Sequence, residues 1–320
     1  MNPSLPGIHH VTAITENAQA SIDFYCGVLG QRFVKLTVNY DDPGSYHLYY
    51  GDELGRPGSA LTFFAWPGAP RGRVGPPQLT AISFAAPAGA LEYWTRRLED
   101  HRVEAKATGR FGESVLSFPD PDGMRVEIVE NAQEDRDGPP GGPVPVEVAL
   151  RGFHGVTLSE EGYENTARML TGALGFRAEG IEGNRFRYRT AAGGAASVVD
   201  LLCVPDARRG SMGAGVVHHV AFRTPDDRHQ RAWRETIVGL GYNVSPIMDR
   251  TYFHSIYFRE PGGVLFEIAT DQPGFTADEP ADRLGIGLML PSWLEPRRSD
   301  LERVLPPLRL PAWQAQPSRS

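Results

Sequence analysis

Two pairs of adjacent histidines, His9-His10 in GIHHVTAI and His218-His219 in VVHHVAFRTP, hold four of the nine histidines of this 320-residue chain. Both pairs open a short apolar strand. Glu267 follows the Pro261-Gly262-Gly263 turn and lies between Phe266 and Ile268, where a buried carboxylate is costly without a partner. A cation is a good partner. Two neutral imidazoles and one carboxylate make the facial set that leaves three positions open on octahedral Fe(II). A single anionic ligand also leaves the site net positive, which favours a deprotonated hydroxyl on a substrate. A lone strand histidine is more often a hydrogen-bonded core residue than a ligand. It is the combination at matching positions that makes His10, His219 and Glu267 the expected metal ligands.

Side chains alternate along a strand, so Ile8, His10, Thr12 and Ile14 are expected on one face, and His9, Val11 and Ala13 on the other. His154, in GFHGVTL, competes with His10 but aligns with His9, and a shift of one residue reverses the face presented. Tyr257 lies on the strand before Glu267 with Ser255 and Arg259 on its face, and DRTYFHS places Arg250 and His254 nearby. A tyrosine hydroxyl and an arginine could fix a phenolic ligand and stabilise developing negative charge. The plainer alternatives are a core tyrosine and a surface ion pair. Thr12, His9 and His218 are expected to support the ligands from behind.

The elements that position these residues repeat. GVLGQR at Gly27 recurs as GALGFR at Gly172, SALTFFAWPGAPRGRVG at Ser59 as SVVDLLCVPDARRGSMG at Ser197, and FPDPDGMRVEIVE at Phe118 as FREPGGVLFEIAT at Phe258. Within each half a strand, an amphipathic helix and a closing hairpin occur twice. Ala18, Ile22, Tyr25, Cys26 and Leu29 have helical spacing, with Asn17 as N-cap and Gly30 as stop; Tyr163, Ala167, Leu170 and Leu174 end at Gly175. Two more helices follow Pro87 and Pro225. The expected fold is α+β: four βαβββ modules, paired so that their sheets curl into half-open cups.

The stretch from Asn131 to Pro145 is rich in proline and glycine and reads as a linker. The expected domains are 1–145 (modules one and two, with linker 131–145), 146–275 (modules three and four), and a C-terminal extension 276–320. Repeat alignment puts His10 on Gly155, His219 on Ala81 and Glu267 on Glu127, so the counterpart of the metal site cannot hold a metal and Glu127 is expected to be structural. One active site per chain, built from modules one and four, is expected.

Composition bounds the partners. A net charge of -7 gives no electrostatic reason to expect nucleic acid or an anionic membrane. Two cysteines, Cys26 and Cys203, argue for a reducing compartment, and no signal or spanning segment is apparent, so a cytoplasmic protein is expected. A homo-oligomer is plausible, though no residue demonstrates it.

With these motifs, and the long block LGQRFVKLTVNYDDPGSYHLYYGDELGRPGSALTFF, the chain resembles the vicinal oxygen chelate (glyoxalase/bleomycin resistance/dioxygenase) superfamily, and within it the hydroquinone-type ring-cleaving dioxygenases. The resemblance covers nearly the whole chain except the proline-rich C-terminus LPPLRLPAWQAQPSRS, which leaves a lid role for that segment unsupported. It implies an Fe(II) enzyme that opens para-hydroquinones with O2, with ligands at His10, His219 and Glu267 and supporting positions at His9, Thr12, His218, Arg250 and Tyr257. It further implies that a ring hydroxyl binds the metal as a phenolate beside O2, that Tyr257, His9 or His218 moves protons, and that the product is a ring-opened hydroxymuconic-type acid. Zinc, manganese or nickel could occupy the site in a purified sample, because affinity order alone does not favour Fe(II). Two alternatives remain: a glyoxalase-like isomerase or lyase, which usually needs a second carboxylate ligand, and a metal-free small-molecule binding protein.

Overall fold

In the computed structural model, which describes residues 5–314, the four modules are present. Module one contains β1 (Ile8–Thr15), α1 (Ala18–Ile22), β2 (Arg32–Asn39), β3 (Asp42–Gly51) and β4 (Ala60–Ala65). Module two contains β5 (Gln78–Ala86), α2 (Leu91–Asp100), β6 (Lys106–Arg110), β7 (Glu113–Pro119) and β8 (Arg125–Glu130). Module three has β9 (Phe153–Glu160), α3 (Glu164–Arg168), β10 (Phe176–Glu182), β11 (Arg185–Thr190) and β12 (Val198–Cys203). Module four has β13 (Val217–Thr224), α4 (Asp227–Gly239), β14 (Met248–Asp249), β15 (Phe253–Arg259) and β16 (Leu265–Pro273).

Local signals account for the helix limits. The Asn17 side chain accepts from the Ala20 N–H at 3.0 Å, which satisfies one of the free donors at the start of α1. The chain then continues through a wider π-helical stretch, Asp23–Val28, and stops at Gly30, whose φ of 69° is left-handed. The repeat copies this plan: α3 passes into a π-helical stretch, Met169–Ala173, and ends before Gly175 at φ 76°.

The strands form two eight-stranded sheets, ordered β14-β15-β16-β13-β1-β4-β3-β2 and β10-β11-β12-β9-β5-β8-β7-β6. The module pairing corrects one expectation. Segments 1–145 and 146–275 do not each close a cup: module one shares its sheet with module four, and module two with module three. Within every module the first strand pairs in parallel with the last, which leaves its other edge open. β1 closes its edge on β13, and β5 on β9, both antiparallel. The crossovers that carry the chain between cups run side by side, bridged at Arg71 with Ala214 and Arg73 with Ser211.

The C-terminal extension is part of the first cup. Phe275 and Leu284 join Val34, Tyr49, Tyr252 and Phe253 in a small apolar cluster inside it. The buried Lys35 ammonium is held by Asp278 at 2.6 Å and Glu279 at 2.5 Å, so a charge that would be costly alone is paired twice. Further along, Met289 N–H donates to the Leu36 carbonyl and Tyr46 Oη to the Pro306 carbonyl. Among the described residues no helix is long and apolar enough to cross a membrane.

Candidate metal centre

Strand register decides where the three expected ligands start. His10 stands opposite Ala221, Ala221 opposite Glu267, and Thr12 opposite His219. His10 and Glu267 are therefore two strands apart, about 9–10 Å at the backbone, and they meet by leaning over the methyl group of Ala221. His10 Nε2 lies 3.2 Å from Glu267 Oε2, and His219 Nε2 lies 2.9 Å from the same oxygen. The two imidazole nitrogens are 3.4 Å apart. All three residues are buried, and they are the one cluster of its kind among the described residues. Three ligands about 2.1 Å from one ion would be about 3.0 Å apart at right angles and about 3.4 Å apart at tetrahedral angles. The observed triangle falls in that range.

Proton placement points the same way. His9 Nε2 is 3.1 Å from the Thr270 carbonyl, which can only accept, so Nε2 carries a hydrogen. Burial, with His10 beside it, pushes the His9 imidazole well below its ordinary pKa and keeps it neutral. Its Nδ1 is then an acceptor, and at 2.9 Å it takes the hydrogen of His10 Nδ1. A neutral His10 is left with a bare Nε2 lone pair aimed at Glu267. Burial pushes the Glu267 carboxyl up, but positive charge on the His10 and His219 side of the triangle, such as a proton on a ring, outweighs it and holds the group well below the usual carboxylate range. Ser255 Oγ donates to its Oε1, while Oε2 is buried without an aligned hydrogen bond. A proton on one imidazole would satisfy one edge of this triangle; a metal ion satisfies all three.

His218 repeats the role of His9, with its Nδ1 2.8 Å from His219 Nδ1. Here simple alternation fails. The pairing of β1 with β13 slips between Ile8 and His10 and again between Thr12 and Ala13, so His9 and His218 each occupy a β-bulge. The extra residue brings the first histidine of each pair alongside the second instead of onto the opposite face. Burial pushes His218 down to about 3 and His219 also downward, which favours the neutral ring that a metal-binding His219 would need.

A narrow cavity opens in front of the triangle, lined by Thr12, Phe64, Arg250, Phe253 and Tyr257 among others. Arg250 Nε donates to Tyr257 Oη at 3.3 Å, and another of its nitrogens lies 3.3 Å from Asp41. Burial and the charge of Glu267 push the Tyr257 hydroxyl far upward, so it keeps its proton and can donate it into the cavity. The structure thus gathers His9, Thr12, His218, Arg250 and Tyr257 around the triangle. His254 does not join them: it faces outward and pairs with Asp227 of α4 at 2.6 Å. Arg259 is exposed and bonds the Gly263 carbonyl. His154 belongs to the second cup, 3.1 Å from Glu113.

Several residues of the site escaped the sequence reading, the cavity walls Phe64 and Phe253 among them. His47 and Tyr49, on one face of β3, enter the cavity, and Ala221 separates His10 from Glu267. The alternation in SYHLYYG was the available signal for His47 and Tyr49. Nothing local marks Ala221.

The counterpart site of the second cup has Gly155, Ala81 and Glu127 in equivalent registers. Arg110 reaches Glu127 Oε2 at 2.5 Å, and Ser83 Oγ donates to the same oxygen at 2.7 Å. A guanidinium is the cation there.

Fold and site together define a protein of two curled sheets with one His-His-Glu centre and one ion-paired counterpart. The sequence profile of the Glyoxalase/Bleomycin resistance protein/Dioxygenase superfamily matches residues 7–128 and 152–268, and the chain belongs to that superfamily. It is 47% identical over 304 residues, 95% of this chain and 97% of the other, to "Putative ring-cleaving dioxygenase MhqO" of Bacillus subtilis (strain 168). It is 40% identical, over 93% of this chain and 95% of the other, to the chlorohydroquinone/hydroquinone 1,2-dioxygenase of Sphingobium indicum. A crystal structure from Bacillus subtilis subsp. subtilis str. 168, described as a "putative dioxygenase", superposes with a TM-score of 0.94 at 46% identity, covering 97% of this chain and 99% of that one. These likenesses place the protein among the ring-cleaving dioxygenases of the superfamily.

Proposed function

We propose that the protein is an Fe(II)-dependent dioxygenase that opens hydroquinone-type rings with O2, using His10, His219 and Glu267 as metal ligands. The observation that carries this reading is the buried triangle of two imidazole nitrogens and one carboxylate oxygen at 2.9–3.4 Å, facing a cavity with aromatic walls. When bound, such an ion supplies electron transfer between an aromatic diol and dioxygen. The rest is the work of the chain. Phe64 and Phe253 present apolar surface to a ring and exclude water. Tyr257 donates its proton to a ring oxygen, and Arg250, held against Tyr257, places a fixed positive charge where the oxygen becomes negative. His9 and His218 hold the ligand rings in orientation through their Nδ1 contacts.

Names of relatives support the substrate class, since one relative is named for chlorohydroquinone and hydroquinone. The test is oxygen uptake by Fe(II)-loaded protein against a panel of substituted hydroquinones and catechols, with an anaerobic control. Uptake equal to ring-opened product, absent with zinc, is expected. Turnover of a substrate without oxygen would favour an isomerase or lyase instead, and tight ligand binding in a Glu267→Gln variant of unchanged metal content would favour a binding protein.

A further inference from the structure

Four side chains form a hydrogen-bonded row across β3, β4 and β1. Tyr49 and Thr62 are opposite each other, as are Thr62 and Thr12, and His47 is two residues from Tyr49 on the same face. Tyr49 Oη lies 2.9 Å from His47 Nδ1, His47 Nε2 lies 2.9 Å from Thr62 Oγ1, and Thr62 Oγ1 donates to Thr12 Oγ1 at 2.8 Å. Thr12 and Thr62 are buried.

The row has one direction. Thr62 has a single hydroxyl hydrogen and gives it to Thr12, so His47 Nε2 must donate to Thr62. Burial pushes the His47 imidazole well below its ordinary pKa, so it carries one hydrogen and its Nδ1 accepts from Tyr49. Thr12 Oγ1 already accepts from Thr62, and no acceptor among the described residues takes its own hydrogen. Its side chain lines the cavity two residues along the strand from His10.

We propose that Tyr49, His47 and Thr62 are positioning residues that fix the Thr12 hydroxyl as a hydrogen-bond donor to an anionic or electron-rich oxygen held beside His10. Calling that oxygen part of a bound hydroquinone or of dioxygen rests on the dioxygenase reading; the direction of the row does not. Thr12 then favours a strongly accepting ligand oxygen, such as a phenolate, over the weaker acceptor of a neutral hydroxyl.

Two measurements test it. Nitrogen-15 NMR of the histidines in metal-free protein should give His47 as the neutral Nε2–H tautomer, and Tyr49→Phe should perturb Nδ1; the Nδ1–H tautomer would overturn the assignment. In the Fe(II)-loaded protein, Thr62→Val should lower kcat about tenfold with metal content unchanged, while Thr62→Ser recovers most of the loss. Equal kcat in wild type and Thr62→Val would also overturn it. Should wild-type protein open no ring at all, the reaction reading fails, and the NMR result still decides the row.

Discussion

Glu127 occupies in the second cup the position that Glu267 holds in the first: Glu267 is paired with Ala221, and Glu127 with Ser83, across the same kind of parallel register. One carboxylate faces two imidazoles and the other a guanidinium. The repeat thus kept a buried carboxylate twice and surrounded it in two ways. Arg110 also approaches Asp200, which Arg185 and Arg187 share, and Arg187 in turn holds Glu113 beside His154. The second cup is closed by ion pairs.

This contrast predicts opposite outcomes for matched substitutions. Arg110→Ala leaves buried Glu127 without its guanidinium and is expected to cost about 3–5 kcal/mol. Chemical denaturation would measure it, and metal stoichiometry should stay at the wild-type value. A loss of metal with unchanged stability would contradict the assignment of roles.

Glu267→Gln is expected to do the reverse. The neutral amide removes the anionic ligand, so metal content after loading should fall to near zero and ring opening with it, while the metal-free protein keeps its melting temperature or gains slightly. Elemental analysis and calorimetry on the same preparation check both halves.

The bulge histidine His9 acts through its neighbour. Since His9 Nδ1 takes the His10 hydrogen, His9→Phe frees the His10 ring to turn and to choose the other tautomer. Metal affinity is expected to drop about 10–100-fold, read by competition with a chelator. A His9→Phe protein that competes as well as wild type would show that the bulge serves packing alone.

A pH effect comes from outside the site. Burial, with the adjacent Glu260 charge, pushes the Glu160 carboxyl up to about 8, and Thr166 bridges the two side chains. The folded protein keeps a proton there that the unfolded chain releases above its ordinary value of 4.5. This contribution to stability is complete below about 4.5 and is lost as pH rises through about 8. Melting curves should therefore show Glu160→Gln gaining on wild type by several degrees between pH 5 and pH 9. A constant gap across that range would place the proton elsewhere.

The sequence alone determined the modules and their caps and singled out the three residues that meet in the buried triangle, because strand and helix periods are local and two copies of one pattern can be aligned residue by residue. Asn17, Gly30 and Gly175 behave as their types require, and the Gly155–Ala81–Glu127 counterpart was legible from that alignment. Tertiary structure decided what depends on distant partners. Four opening strands with similar apolar patterns present similar free edges; the repeat alignment predicts that modules one and four meet at the site, and folding decided that they do so by pairing β1 with β13 in one sheet. The bulges at His9 and His218 exist only in that pairing, so strand alternation assigned His9 to the wrong face. His47 and Tyr49 became cavity residues through the curl of the sheet, and the C-terminal extension joined the first cup through contacts with Lys35 and Leu36. Periodicity specifies which faces are apolar; which edge meets which is settled by side chains hundreds of residues apart competing for the same burial.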